Sequence, residues 1–153
     1  MMSTNTTQLV TIDRVADALA GLDVTVQTDA SGRAAHANIN GYNVLFVLLD
    51  SVLIARADAA TETPSDTPDP TMYLAANQVN SSFLDARALV VNKADTLIIR
   101  TESENQVAAG MTDEQLSSGL KRSLDGLMRG QDAMHALIEE ITSAREAAQK
   151  TES

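Results

Sequence analysis

Ile12, Val15, Ala16, Leu19 and Leu22 recur at three- and four-residue spacing, the stripe of a short one-sided helix. Thr11 stands where a capping hydroxyl is wanted, and Asp13 sits in the first turn near the positive end of the helix dipole. Gly21 is placed for a left-handed stop. The period then changes to two. Val24 and Val26 alternate with Thr25 and Gln27, a half-buried strand, and Asp29-Ala30-Ser31-Gly32 is turn chemistry. A second strand over 34–39 runs into Asn40-Gly41, a hairpin pair in which both positions accept positive φ. Strands over 42–49 and 52–57, joined at Asp50-Ser51, complete a four-stranded antiparallel meander.

Composition shifts at Ala59. The stretch 61–69 holds two of the three prolines and no large apolar residue, which predicts an exposed acidic loop. Glu62, Asp66 and Asp69 could in principle hold a cation there, but no calcium-loop spacing appears, and a solvated connector is the favoured reading. Asp69-Pro70 starts a helix, a capping Asp before a proline at the first helical position, with Met72, Leu74, Ala76, Val79 and Phe83 on its apolar side. Two more strands, 87–92 and 96–101, flank a short turn at Lys93-Ala94-Asp95. Thr112 and Gln115 fit a capping box that opens a last helix reaching to about residue 149. Along it Leu120, Leu124, Leu127, Gln131, Met134, Ile138 and Ile141 are spaced alternately four and three, a heptad seam with one polar gap. Gly119, Gly126 and Gly130 each cost this helix roughly 1 kcal/mol relative to Ala, and Gly130 is the expected bend.

The order is therefore α-β-β-β-β-α-β-β-α, an α+β fold with an antiparallel sheet and a long C-terminal helix. The expected division is a disordered tail over 1–10, one domain over 11–148 and a frayed tail over 149–153.

A half-exposed strand should alternate apolar with polar residues. Val44-Leu45-Phe46-Val47-Leu48-Leu49 does not, and neither do Val52-Leu53-Ile54, Leu89-Val90-Val91 or Leu97-Ile98-Ile99. Both faces of the sheet then carry apolar side chains, and both need cover. Either the last helix wraps round to close the second face, or a partner does; partner burial is the favoured expectation. The seam supplies the candidate partner-binding residues Leu124, Leu127, Met134, Ile138 and Ile141, facing a second copy of the chain.

Charge and composition narrow the function. The 153 residues carry 11 Lys+Arg against 21 Asp+Glu, a formal charge of -10, which opposes binding to nucleic acid or to an anionic membrane. No apolar run is long enough to span a membrane. The opening residues lack the basic start and apolar stretch of a secretory signal, so a cytoplasmic location is expected. With no cysteine, disulfide and thiolate chemistry are excluded. His36 and His135 have no nearby second ligand at zinc spacing, and no nucleophile elbow or phosphate-binding glycine run occurs. The Lys121-Arg122 pair and Arg129 are expected to pair with acids such as Asp125. Nothing singles out a catalytic group or a cofactor site, and a non-enzymatic protein is expected.

From about Thr11 to Ile141 the chain resembles the YbjN-domain proteins, bacterial proteins whose fold is like that of the class I type III secretion chaperones. The resemblance rests on Arg14-Val15-Ala16-Asp17-Ala18-Leu19, Asn40-Gly41-Tyr42, Asn77-Gln78-Val79-Asn80 and Gly110-Met111-Thr112-Asp113-Glu114-Gln115-Leu116. It implies a non-catalytic protein, described in the family as a sensory-transduction regulator, with no catalytic residues to carry over. The chaperone relatives are small acidic homodimers that bind an extended client. For Asn77 and Asn80 a structural cap or a helix-to-strand hydrogen bond is expected. The leading expectation is a cytoplasmic homodimer that binds protein as a regulator or chaperone. The alternative is a small-molecule sensor with a pocket between the sheet and the long helix.

Overall fold

Local turn and cap chemistry sets the order of the elements. In the computed structural model, which describes residues 6–82 and 85–152, Asn40 and Gly41 both take positive φ, 54° and 85°, and the chain reverses there. The described elements are α1 (Ile12–Gly21), β1 (Gln27–Thr28), β2 (Ala34–Ile39), β3 (Tyr42–Leu48) and β4 (Val52–Pro64), then α2 (Thr71–Ser82), β5 (Arg87–Lys93), β6 (Thr96–Gln106) and α3 (Asp113–Glu152). The strands form one antiparallel sheet in the order β1-β2-β3-β4-β6-β5. The fold is α+β, in the element order expected.

The expected caps are in place. Arg14 N–H donates to Thr11 Oγ1 at 3.2 Å, and Asp69 Oδ1 accepts from the Thr71 N–H at 3.0 Å. At the start of α3, Thr112 N–H donates to Gln115 Oε1 at 2.9 Å while Gln115 N–H donates to Thr112 Oγ1 at 3.1 Å, a reciprocal capping box. After α1, Asp23 rather than Gly21 takes the left-handed conformation (φ 64°), because the helix runs through Gly21 and its C-cap is Leu22.

One face of the sheet meets all three helices. Val44 and Phe46 of β3 and Leu53, Ala55 and Ala57 of β4 pack with Val15 and Leu19 of α1 and Leu116, Leu120 and Leu127 of α3. Ala59, Ala88, Leu97 and Ile99 pack with Met72, Ala75 and Val79 of α2 and Met134 of α3. Fully burying a side chain the size of Leu or Phe contributes roughly 1.5–3 kcal/mol, so these two clusters carry the fold. The glycines of α3 allow its close approach to the sheet. A Cβ on Gly130 would come within 2.9 Å of Thr101 Cγ2, and one on Gly119 within 2.8 Å of Asn105 Oδ1. Thr101 also donates its hydroxyl to the Leu127 carbonyl at 3.1 Å. The helix runs unbroken through Gly130, and that glycine serves contact with the sheet.

Four boundaries differ from expectation. β1 is reduced to two residues, since Leu22, Val24 and Val26 pack on the first core cluster ahead of it. β4 continues through 59–64, most of what reads as loop, because Ala59 and Ala60 pair with Ile99 and Ile98 and, past a register shift, Pro64 pairs with Thr96. β6 is five residues longer than expected, and α3 reaches Glu152, beyond the domain end expected at 148. The tail expected at 1–10 is in part structured: Gln8 and Met111 exchange two backbone hydrogen bonds, and Val10 is buried. Arg14 fastens that segment, donating to the carbonyls of Gln8, Leu9 and Met111, each at 2.8 Å, and to Asp113 Oδ1 at 2.9 Å. Residues 1–5 of that tail, Phe83 of the expected apolar side of α2, and Ser153 lie outside the described residues.

Candidate functional site

The heptad seam of α3 packs inward. Leu127 and Met134 are 0% exposed, Leu124 packs against the first core cluster, and Ile138 and Ile141 pack against the second. These five residues were expected to face a partner; Leu127 and Met134 are buried in the chain's own core, while Leu124, Ile138 and Ile141 pack against that core and stay partly exposed. A three-and-four repeat fits a helix lying on a sheet as well as one lying on another helix. The polar gap follows the same logic. Gln131 is fully buried, and its Nε2 donates to the carbonyls of Ala57 at 2.9 Å and Ile99 at 3.1 Å, on the two central strands.

With the three helices of the described residues on one side, no helix among those residues lies over the other face of the sheet. Strand alternation places on it Leu45 and Val47 of β3, Val52 and Ile54 of β4, Leu89 and Val91 of β5, and Ile98 of β6. All but the buried Ile98 are half-exposed. Between these two apolar areas lies a lattice of ion pairs. Arg56 of β4 is registered with Glu102 of β6, and Glu102 with Arg87 of β5. Glu102 has 9% of its side chain exposed, with Arg87 Nη2 3.1 Å from Oε2 and Arg56 Nε 2.9 Å from Oε1. The Arg56 Nε–H is not aimed at that oxygen, so the contact acts through charge rather than as a hydrogen bond. One row along, Arg100 holds Asp58 with two parallel bonds, Nε to Oδ1 at 2.8 Å and Nη2 to Oδ2 at 3.1 Å. Hydrogen bonding to Asp58 raises the Arg100 pKa above its already high ordinary value. Two concavities flank the lattice. One of about 490 Å³ is lined by Gln27, His36, Asn38, Asn43, Leu45 and Asp58. The other, of about 340 Å³, lies where Arg87, Glu102 and Glu104 meet Asp85 and Arg122.

No family model matches the sequence, and no curated protein does. A solved structure does match: that of YbjN from E. coli, a protein described as a proposed transcription regulator. The match covers 92% of this chain and 97% of that one, with a TM-score of 0.62 and 16% sequence identity. The chain has a YbjN-like fold. The likeness expected from the sequence motifs is therefore one of fold.

Elsewhere on this YbjN-like frame the expected chemistry is modest. His36 lies on the open face, 3.1 Å from Gln27 Oε1, and His135 stacks on Tyr42 with ring centroids 6.5 Å apart. Burial, with Asp132 adding to it, raises the Tyr42 pKa. Among the described residues no cluster of His, Cys, Asp or Glu is arranged to hold a metal, and no helix is long and apolar enough to cross a membrane. Asp69, of the expected acidic loop, pairs with Arg145 of α3. Lys121 pairs with Asp125 at 3.6 Å and Arg129 with Asp85 at 3.5 Å, both exposed. Asn80 makes a helix-to-strand hydrogen bond to Ala88, as expected; Asn77 is exposed, and its carbonyl accepts from Ser81. The space between sheet and α3, where a sensor would need its pocket, is filled by Leu120, Leu127, Gln131 and Met134, each 0% exposed. The sequence signal for the open face was the four runs that fail to alternate; the ion-pair lattice within it carried no signal, since its partners lie 15 to 46 positions apart.

Proposed function

We propose that this chain is a non-enzymatic protein-interaction module of regulatory or chaperone-like kind, working in the bacterial cytoplasm and binding protein through the open face of its sheet. One observation carries the reading: a sheet face half apolar and half charge-paired has no helix over it. Apolar side chains left uncovered on one face and bordered by polar groups mark a protein-contact surface. Small-molecule sites are concave and mostly apolar, whereas the two hollows here are open and edged with charge. The likeness to YbjN, itself described as a proposed transcription regulator, fits a regulatory role. At a formal charge of -10 this chain would be repelled by DNA phosphate, so its regulation would act through protein contact.

The test places a photo-crosslinking amino acid at Val47 on the open face and, as control, at Asp132 on the outer side of α3. In the native cell, Val47 is expected to yield discrete protein adducts and Asp132 none. Equal or absent labelling at both positions rejects the open face as the contact surface.

A further inference from the structure

We propose that the free edge of β5 takes up an extended segment of a partner protein as a further antiparallel strand, one that sets apolar side chains against Leu89 and Val91 and a carboxylate against Lys93. The proposal rests on the reading of this chain as a protein-binding module and names the conformation and chemistry of what it binds.

The sheet ends at β1 on one side and at β5 on the other. β1 is two residues long, too short to template a strand. β5 pairs with β6 in unbroken register from Arg87 to Lys93, with no bulge and no proline. Ala88 shows which backbone groups of β5 look outward. Its N–H and its carbonyl are both taken by Asn80, so in an antiparallel strand those of Val90 and Asn92 point the same way. Asn80 serves Ala88 alone. Past it, among the described residues, no strand or side chain bonds the backbone groups of Val90 and Asn92. Such a row of unpaired donors and acceptors is a template for another chain. Main-chain hydrogen bonds then supply affinity, and alternate side chains supply specificity.

Charge decides which chain. On the open face β5 presents Arg87, Leu89, Val91 and Lys93, two apolar residues between two cations. A second β5 aligned about Val90 would set Arg87 against Lys93 at both ends, and like charges directly opposite disfavour that pairing. A carboxylate is drawn by the same charges. Glu102 is shared by Arg56 and Arg87, so that group keeps one surplus positive charge, and Lys93 makes no ion pair among the described residues. β5 holds no acid, in a chain with 21 Asp+Glu to 11 Lys+Arg. The nearest acids along the chain are Asp85, paired with Arg129, and Asp95 in the following turn. Because Asn80 bars the incoming strand from Ala88, that strand is held at Val90 and Asn92, and its carboxylate meets Lys93.

The test uses the whole chain and the blocked peptide Glu-Thr-Val-Thr-Val-Thr-Glu, followed by NMR hydrogen exchange. With peptide at about ten times its dissociation constant, exchange of the Val90 and Asn92 amides should slow by about tenfold. Antiparallel pairing with the valines on the open face turns the threonine N–H groups toward β5 and the valine N–H groups away. N-methylation of the threonines should therefore abolish the slowing, and N-methylation of the valines should leave it. Lys93→Glu should weaken the addition by about two- to fivefold, and a peptide with Lys in place of Glu should recover it. Asn92→Pro removes one outward N–H, leaves the ladder to β6 whole, and should abolish the addition. If Asn92→Pro fails to fold, the two methylated peptides decide alone, since they act on the unmodified chain. A peptide that leaves both amides unchanged at about 10 mM, ten times a millimolar dissociation constant, overturns the proposal. So does a threonine-methylated peptide that binds as well as the parent. If the edge fails in this way while Val47 still crosslinks to protein in the cell, the edge is refuted and the open face stands as the contact surface. Addition at β5 with no adduct at Val47 upholds the edge and rejects the face.

Discussion

Asn80 closes on Ala88 with both ends of its side-chain amide. Nδ2 donates to the Ala88 carbonyl at 2.9 Å, and Oδ1 accepts from the Ala88 N–H at 2.6 Å. Ala88 lies near the start of β5, the last strand of the sheet, so this amide supplies the two bonds that a further strand would make. It thereby blunts a free edge at that point. Asn80→Ala is expected to cost about 1–3 kcal/mol, the price of leaving two backbone groups short of a partner. Urea unfolding reads the loss, and hydrogen exchange should show the Ala88 amide losing protection before the rest of β5.

Gln131 carries the other buried amide that joins a helix to the sheet. Its Oε1 has no hydrogen-bond partner, while Nε2 serves two strand carbonyls. Gln131→Glu keeps the shape and places a carboxylate beside those carbonyls, where it cannot remain charged without severe cost. Burial would raise the folded-state pKa of the introduced acid above its unfolded value. The penalty is therefore absent below about pH 4, where the acid is neutral in both states, and grows as pH rises above it. At pH 7 the variant should lose about 3 kcal/mol or more relative to the parent, and most of that should return near pH 4. Urea unfolding of both proteins at the two pH values checks it, and a loss that does not depend on pH contradicts the account.

How much of this could be read along the chain depends on the range of each interaction. The caps at Thr11, Asp69 and Thr112 and the turn at Asn40-Gly41 are made within four residues, and they were legible as such. The strand at 59–64 was not, because it has no large apolar residue; its pairing with 96–99 comes from more than thirty positions away. The far half of β6 was hidden for a related reason. Ser103 and Asn105 point inward but meet Ser123 of α3, so polar residues occupy both faces and no alternation marks the strand. The seam of α3 was legible but its neighbour was not, since the spacing is the same against a sheet as against a helix. The non-alternating runs in β3, β4, β5 and β6 correctly signalled apolar side chains on both faces. Which face the helices would leave open is a property of topology, and the local pattern does not contain it.

The turn between β5 and β6 holds Ala94 at φ 59°. A left-handed conformation costs an L-residue with a Cβ roughly 1–2 kcal/mol, and glycine escapes that cost at the expense of a more flexible unfolded chain. The balance favours Ala94→Gly by about 0.5–1 kcal/mol. For a chain of this length that is a rise of about 1–3 °C in melting temperature, measured by calorimetry. An unchanged or lower value would mean that the strand pairing around the turn tolerates the alanine at no cost.

Asp69 joins the start of α2 to the far part of α3. Its carboxylate accepts from the Thr71 hydroxyl, from Arg145 and from the Thr71 backbone N–H, and these hold its pKa down to about 2 from an ordinary 3.8. A depressed carboxylate pKa means that the folded state takes up the proton later than the unfolded one. The stabilisation is complete above the unfolded value and is lost as pH falls from about 4 through about 2. The group is exposed, so the effect on melting is small, and the titration itself is the sensitive readout. Carbonyl-carbon NMR should place the Asp69 midpoint near 2 in the parent. Arg145→Gln should move the midpoint upward only part of the way, because the Thr71 hydroxyl makes the largest contribution. Thr71→Val, which removes that hydroxyl and keeps the backbone bond, should move it further than Arg145→Gln does. The opposite ranking would make the link to α3, rather than the local cap, the stronger hold on this carboxylate.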